Sequence, residues 1–256
     1  DEERPRLLSL LQAGKTAMTR RTTLMALLAA ATLVGTPSAG ASVPAEKRIE
    51  YWRTLPSVRE FTKTQGFFPK LLAFVAGFPD PKPELTRPYA VAQDSIGRVL
   101  IADPGLSGVH LYDLEKHKYQ FLKGPKGNLM VSPMDIACDS NDDIYVSDSV
   151  RAKIFVFDSK GKYLRSIGGT TNGALQRPTG MALDRKGRRI YLADTLRHQI
   201  VVYRMDGSLV RTFGTHGTSE GQFNFPTSLA LSNGRLHVVD ALNFRIQTFT
   251  ADGEFV

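Results

Sequence analysis

The feature that most constrains this chain is a repeat of about 45 residues that occurs four times between Arg87 and Val256. Each copy begins with a proline and places an aspartate at the end of its second apolar run. The prolines are spaced 45, 45 and 48 residues apart and the aspartates 45, 46 and 46: Pro88, Pro133, Pro178, Pro226 and Asp103, Asp148, Asp194, Asp240. Two landmarks that keep the same spacing indicate one structural unit used four times.

Each repeat predicts four short β-strands. In the first copy these are "YAVAQD", "VLIAD", "VHLYD" and "YQFL", and they are rich in residues that favour strands. The turns after the first strands, "SIG", "SNDD", "RKGR" and "SNG", contain the Gly, Asn and Asp residues that tight hairpins require. Because no 3.6-residue apolar period is present, a helical solenoid is excluded. The pattern predicts an all-β protein in which each repeat is one four-stranded blade of a β-propeller.

The fourth copy also carries a family resemblance. Its stretch "DALNFRIQTF" (Asp240 to Phe249), preceded by "FNFPTSLAL", resembles an NHL repeat. The segments "DTLRHQIVVY" and "DSVRAKIFVF" match less closely, and "DPGLSGVHLY" matches least. The resemblance covers about residues 87–256 and implies a propeller, usually of six blades, in which an N-terminal strand often completes the last blade. Such a repeat is specific for fold and not for function.

The N-terminal part of the chain predicts export. Residues 18–41 have the three parts of a signal peptide: a basic start at Arg20 and Arg21, a short apolar run, and the small residues "AGA" before Ser42. General and twin-arginine export both stay open. We interpret residues 1–17, which precede Met18, as a non-native upstream segment. The expected location is periplasmic or extracellular, with no stable membrane anchor in the mature chain.

Residues 42–86 predict the elements that precede the blades. The stretch "KRIEYWRTL" (residues 47–55) is expected to be a closing strand, followed by a short amphipathic helix and a Pro-rich linker. The four blades then occupy residues 87–256. The fourth strand of the last blade is represented by "EFV" (residues 254–256) alone. We therefore expect an N-terminal fragment that lacks about two of six blades.

The sequence predicts no catalytic residue, no metal and no cofactor. The repeated aspartates could be imagined as cation ligands, but their identical place in every copy predicts a structural role, accepting hydrogen bonds from turn N–H groups. Of the five histidines, His198 and His216 alone are expected to share a face, which is too few for a catalytic zinc site. Neither G-x-S-x-G nor a phosphate-binding glycine loop occurs. The single cysteine, Cys138, lies in "MDIACD" and predicts a buried thiol.

The turns between the second and third strands predict a binding site. In a propeller these turns surround one rim of the central channel, and in three copies they carry polar or cationic side chains: Arg151, Lys153, Arg197, His198, Asn243 and Arg245. Such donors suit an anionic ligand or an acidic protein segment. The alternative is that this position favours Arg because its stem packs over the next blade.

Three functions remain open on this basis. The first is a non-catalytic scaffold that binds a protein or a small anionic ligand, and the second is a lyase or lactonase with a metal in the channel. The third is RNA binding on a basic face, for which the net charge of +8 would be suitable. Nucleic acid is not expected, because the positive charges form no long run, the protein is predicted to be exported, and aromatic and basic residues do not alternate on the turns.

Overall fold

The computed structural model describes residues 84–169 and 174–256, together with Thr54. The predicted upstream segment, signal peptide, closing strand and short helix, and most of the Pro-rich linker, lie outside the described residues. No helix in the described part is long and apolar enough to cross a membrane.

Within the described residues, fifteen strands form four separate antiparallel sheets, and in each sheet the strand order follows the chain. The first blade contains β1 (Ala90–Gln93), β2 (Val99–Asp103), β3 (Gly108–Asp113) and β4 (Lys118–Leu122), and the second contains β5 (Pro133–Cys138), β6 (Ile144–Asp148), β7 (Lys153–Phe157) and β8 (Tyr163–Ile167). The third contains β9 (Pro178–Asp184), β10 (Arg189–Asp194), β11 (Gln199–Arg204) and β12 (Leu209–Phe213), and the fourth contains β13 (Pro226–Ser232), β14 (Arg235–Asp240) and β15 (Arg245–Thr250). The prediction of an all-β fold made of four-stranded blades is confirmed.

The fourth blade differs from the others at its outer edge. The predicted strand at residues 254–256 is present as an isolated bridge between Phe249 and Phe255, extended by a hydrogen bond from the Val256 N–H to the Thr248 carbonyl oxygen at 3.0 Å. The described blade is therefore a three-stranded sheet with a short fourth segment.

The turn between the first and second strands is closed by a side chain in each of the first two blades. The Oδ1 atom of Asp139 accepts hydrogen bonds from the N–H groups of Asn141 and Asp143, at 2.8 and 3.0 Å. Asp142 between them has a φ of 59°, a left-handed conformation that Asp tolerates better than most residues. The Asp and Asn residues of these turns thus fix hairpin geometry, as their type predicts.

The hydrophobic core lies between neighbouring blades. Leu100 and Val109 of the first blade are fully buried against Ile144 and Phe155 of the second. Equivalent clusters join the second blade to the third and the third to the fourth. Because each blade packs mainly on its neighbours, the stability of the array is shared between adjacent repeats.

The innermost strands β1, β5, β9 and β13 lie side by side and line the centre of the array. Hydroxyl groups link the blades there: Ser147 Oγ donates to the Thr179 carbonyl oxygen at 2.6 Å, and Thr195 Oγ1 donates to the Pro226 carbonyl oxygen at 2.7 Å. The backbones of β9 and β13 come closest at Gly180, where a Cβ would lie 2.6 Å from the Ser228 Cα. A residue without a side chain is therefore required at this contact.

We expect Gly180→Ala to destabilise the protein by about 2 kcal/mol, since the added methyl group would overlap the backbone of the next blade, which cannot move away as a flexible side chain could. The measurement is the free energy of unfolding in urea. Ser228→Ala, on the exposed side of the same contact, is the matched control and should change little. Equal stability of the two variants would contradict the close approach.

Candidate functional site

One buried aspartate stands at the same end of every blade, where the second strand ends. In the second blade Asp148 is fully buried, and Oδ2 accepts the N–H groups of Val131 and Ser132, at 2.6 and 3.0 Å, from the linker that enters the blade. Its Oδ1 accepts the N–H groups of Val150 and Arg151, at 3.1 and 2.9 Å, from the turn that follows. The carboxylate therefore ties the entering linker to the turn between the second and third strands.

The third blade makes this junction with different partners. Asp194 accepts the N–H groups of Gln176 and Arg177 of the linker, at 3.0 and 2.8 Å. Its turn forms the single-turn 3-10 helix Thr195–Arg197, and no amide of this turn is bonded to the carboxylate. The sequence prediction named turn N–H groups as the partners. In this blade linker amides bond the carboxylate, whereas the N–H groups of Thr195 and His198 donate to the carbonyl oxygens of Arg177 and Thr195.

The fourth blade extends the junction with three side chains. Asp240 Oδ2 accepts Asn243 Nδ2 at 2.8 Å, Arg245 Nε at 2.8 Å and Gln247 Nε2 at 3.3 Å, while Oδ1 accepts the Asn224 N–H at 2.6 Å. The same side chains also bond linker carbonyl oxygens, those of Gly217, Ser219 and Gln222. The sequence analysis did not single out Gln247, although its spacing of two residues from Arg245 places both on one face of β15.

The other predicted rim residues also bond to the backbone or to their own blade. Arg151 Nε donates to the Leu129 carbonyl oxygen at 2.8 Å, and Lys153 Nζ donates to Asn128 Oδ1 at 3.0 Å. Arg197 Nε lies 3.9 Å from Asp194 Oδ2. Among the described residues, no hydrogen bond or ion pair joins rim residues of different blades. The structure places all six at one end of the array but does not combine them into one binding group.

His198 and His216 lie together, with ring centroids 4.4 Å apart. His198 Nδ1 accepts the Phe225 N–H at 3.1 Å, which leaves the proton of the neutral ring on Nε2. Burial, and then the neighbouring His216, lowers the pKa of His198. A neutral ring with its proton on Nε2 offers no free nitrogen to a metal. The described residues also contain no group of three or more His, Cys, Asp or Glu side chains that could hold one.

Exposed aliphatic side chains recur on the same turns, and the sequence analysis missed them. Val150, Leu196 and Leu242 each stand two residues after the repeated aspartate of their blade and are 63, 43 and 52% exposed. In the second and third blades an exposed arginine follows directly, Arg151 and Arg197. The repeat of Val or Leu at this position is visible in the sequence, but the residue type alone does not show that these side chains are exposed rather than packed. These five residues are called the turn face below.

The channel side of the second blade carries an acid that the sequence analysis also missed. Asp135, on β5, accepts the N–H of Met181 on the neighbouring inner strand at 2.7 Å and that of Ile136 at 2.8 Å. Burial raises the pKa of Asp135 to about 6 in spite of these bonds. Cys138, three residues later, is buried as predicted, and burial raises the pKa of its thiol to about 12, so the thiol is unreactive.

In the first blade, His110 occupies the position that Gln247 has in the fourth blade. His110 stands seven residues after Asp103, as Gln247 does after Asp240, and its side chain is fully buried. Nδ1 pairs with the Tyr119 hydroxyl at 2.9 Å, and Nε2 lies 3.5 Å from Asp103 Oδ2 without forming a hydrogen bond. Burial lowers the pKa of His110, and Asp103 opposes part of this effect. The ring is therefore held neutral in the folded protein.

We expect Asp240→Asn to lower the free energy of unfolding by about 3 kcal/mol, because it removes a buried charge that four hydrogen-bond donors surround and leaves some of them unsatisfied. Thermal and urea unfolding would measure the loss. Asp252→Asn, at an exposed ion pair with Arg189, should cost far less. A similar loss in both variants would show that the buried carboxylate does not hold the blade.

Acidification should destabilise the protein through His110. The folded state resists protonation, whereas the unfolded histidine titrates at its ordinary pKa of 6.5, so stability is lost as the pH falls below that value. Between about pH 7.5 and 5.5 we expect the wild type to lose about 1 kcal/mol more than His110→Gln, which installs the residue of the fourth blade. Asp135 titrates in both proteins, so its contribution cancels. Parallel pH profiles would refute this role.

Comparison with known proteins agrees with this architecture. Residues 102–215 match a family described as a six-bladed β-propeller. A stretch of 111 residues is 29% identical to the protein Brain tumor of Drosophila melanogaster, covering 42% of this chain and 10% of that protein. The chain thus spans about a tenth of this curated relative.

Solved structures share the fold at low sequence identity. An inactive virginiamycin B lyase from Staphylococcus aureus with quinupristin has a TM-score of 0.57 at 18% identity, over 70% of this chain and 57% of the lyase. Hydrazine synthase of Kuenenia stuttgartiensis has a TM-score of 0.54 at 17% identity, over 70% of this chain and 50% of that chain. Since the chain spans about half of these structures, they support the architecture alone. Together with the repeat pattern and the blade geometry, these similarities show a β-propeller fold and support repeats that resemble the NHL type.

Proposed function

We propose that this chain is a non-catalytic binding scaffold of an exported protein, and that its turn face binds a partner protein. The observation that carries the proposal is the repetition of an exposed aliphatic residue on three successive turns, followed by an exposed arginine on two of them. Exposed apolar side chains that recur at one end of a domain are typical of interaction surfaces. Arginine is enriched in the same surfaces and often contributes strongly to affinity.

The turns are held rigidly, which favours binding. The buried carboxylate of Asp148 fixes the amides of Val150 and Arg151, and the linker carbonyl of Leu129 fixes the Arg151 side chain. Rigid turns lose little conformational freedom when a partner binds, so more of the contact energy is available as affinity. The aliphatic side chains project from a backbone that is already in place.

The charge of the turn face indicates the chemistry of the partner. Arg151 and Arg197 are exposed at the turn tips, whereas Asn243 and Arg245 are used inside the blade and are withdrawn from the predicted rim site. Two cationic tips among aliphatic side chains suit a protein segment that combines acidic and apolar residues. A purely anionic small ligand has less support, because most of the rim donors already bond to the protein.

Two other functions are less supported. A lyase or lactonase with a channel metal would need its donor group from residues outside those described. RNA binding by stacking would need aromatic side chains on several turns, whereas among the described turns Phe244 of the fourth blade is the one exposed phenylalanine and the second and third blades carry Val150 and Leu196. Export directed by residues 18–41 is part of the proposal, and an exported protein would not meet cytoplasmic RNA.

The test is a selection of displayed dodecapeptides on the purified protein, followed by anisotropy titration of a selected peptide. We expect the peptides to combine acidic and apolar residues. The triple variant Val150→Asp, Leu196→Asp, Leu242→Asp should weaken binding about thirtyfold or more, since it places charge in the apolar contact. The pair Arg151→Glu, Arg197→Glu should weaken binding and reduce its salt dependence.

The matched control replaces exposed apolar residues elsewhere, Ile96→Asp, Leu164→Asp and Leu209→Asp, and should bind as the wild type does. Two outcomes would overturn the proposal. One is equal weakening by both triple variants. The other is tighter binding of a single-stranded RNA that depends on the arginines and not on the aliphatic residues.

A further inference from the structure

The linker that enters the second blade carries positive charge that no acid of its own offsets. Residues 123–132 contain Lys123 and Lys126 and no aspartate or glutamate. Both lysines are exposed, and within the part of the chain that the structure describes neither forms an ion pair. The linkers that enter the first and fourth blades each contain an acid, Glu84 and Glu220. Charge is therefore distributed unevenly over the linkers of the array.

This linker is bonded to the turn between the second and third strands of the same blade. Arg151 Nε donates to the Leu129 carbonyl oxygen at 2.8 Å, and Lys153 Nζ donates to Asn128 Oδ1 at 3.0 Å. Each of these bonds uses one N–H group, and both side chains have further donors. Two cations of the turn thus join two of the linker on one surface, called the basic junction: Lys123, Lys126, Arg151 and Lys153.

One carboxylate lies beneath the basic junction and offsets only part of its charge. Asp148 is fully buried, and its two oxygens are occupied by four backbone amides. Two of the lysines are positioned by aromatic rings: Lys123 Nζ lies 5.5 Å from the centroid of the Phe121 ring, and Lys153 Nζ lies 5.7 Å from that of Phe155. Four cations against one buried carboxylate leave this surface positive.

The turn of the fourth blade has a different character. Leu242 and Phe244 are 52 and 92% exposed. The guanidinium group of Arg245 is bonded to the aspartate of its own blade and to two linker carbonyl oxygens. The third blade, which lies between the second and the fourth, carries one exposed residue of each kind, Leu196 and Arg197. The surface around the turn face is thus cationic at the second blade and apolar at the fourth.

We propose that an acidic and apolar protein segment binds across the turn face in one orientation, with its carboxylates over the basic junction and its apolar side chains over Leu242 and Phe244. This inference rests on the proposed function and adds the place of each half of the partner. Complementary charges across an interface fix the register of the partner and disfavour wrong arrangements. The reversed orientation would bring carboxylates toward the linker that carries Glu220 and would leave the cations of the second blade without a partner.

The first test compares synthetic dodecapeptides of identical composition. In the segregated peptide the aspartates occupy one end and the leucines the other, and this peptide is made in both chain directions. In the alternating peptide the same residues are interspersed. Anisotropy titration should show that one of the segregated peptides binds about fivefold more tightly than the alternating peptide, because it can place its carboxylates and its leucines on their separate surfaces at the same time.

Charge reversal locates the acidic end of the bound peptide. The pair Lys123→Glu, Lys126→Glu should weaken binding of the tighter segregated peptide about tenfold and reduce its salt dependence, since repulsion replaces attraction. The matched control is the pair Lys160→Glu, Lys162→Glu, in an exposed turn at the other end of the same blade, and it should bind as the wild type does. Carbodiimide, which couples carboxylates to lysine amines, should join the peptide to Lys123 or Lys126 of the wild type.

The outcomes separate this inference from the proposed function. The inference alone is overturned if the triple aspartate variant of the turn face still weakens binding while the segregated and alternating peptides bind equally. It is also overturned if the two charge-reversal pairs have equal effects, or if carbodiimide joins the peptide to Lys160 or Lys162 instead. Failure of every peptide to bind the wild type would overturn the proposed function and this inference together.

Discussion

The buried carboxylate at the end of the second strand is the interaction on which the array depends. An aspartate in a site with no exposure to water is tolerated only when donors surround its charge. In every described blade those donors include backbone amides of the linker that enters the blade, as Asp103 shows with the N–H groups of Thr86 and Arg87, at 2.6 and 2.9 Å. One charge therefore fixes the entry of each blade relative to its second and third strands. The inner strand can then pair in register, with its proline beside the aspartate in the later blades.

The same interaction decides which side chains are left for binding. In the fourth blade Asn243 and Arg245 are drawn toward Asp240 and the linker carbonyls, so residues that suggest an anion site in the sequence hold the blade in the structure. The residues left exposed on the turns are Val150, Leu196 and Leu242, with Arg151 and Arg197 beside the first two and Phe244 on the same turn as the third. The proposed function therefore rests on the side chains of the turn face, which the buried hydrogen-bond network leaves exposed.

Much of the fold could be predicted because it rests on local rules. The alternation of apolar residues, the Asp, Asn and Gly turns and the 45-residue period specify four-stranded hairpin units without reference to distant contacts. The candidate site could be predicted only in outline. The repeat frame placed six residues at one end of the array, but whether Arg245 faces solvent or Asp240 depends on the linker packed beside it, 23 to 26 residues earlier in the chain. Asp135 escaped notice because its high pKa arises from burial by a neighbouring blade.

The sequence by itself determined the repeat, the strands, the turns and the buried position of Cys138, since each follows from side-chain pattern and backbone preference. The tertiary structure alone decided three further features. It paired Asp240 with side chains of its own blade, placed His110 in a buried site beside Asp103, and brought the backbones of β9 and β13 together at Gly180. The first two involve residues close in the chain, but they depend on how linkers and neighbouring strands pack around them, and pattern within a repeat carries no information about that packing.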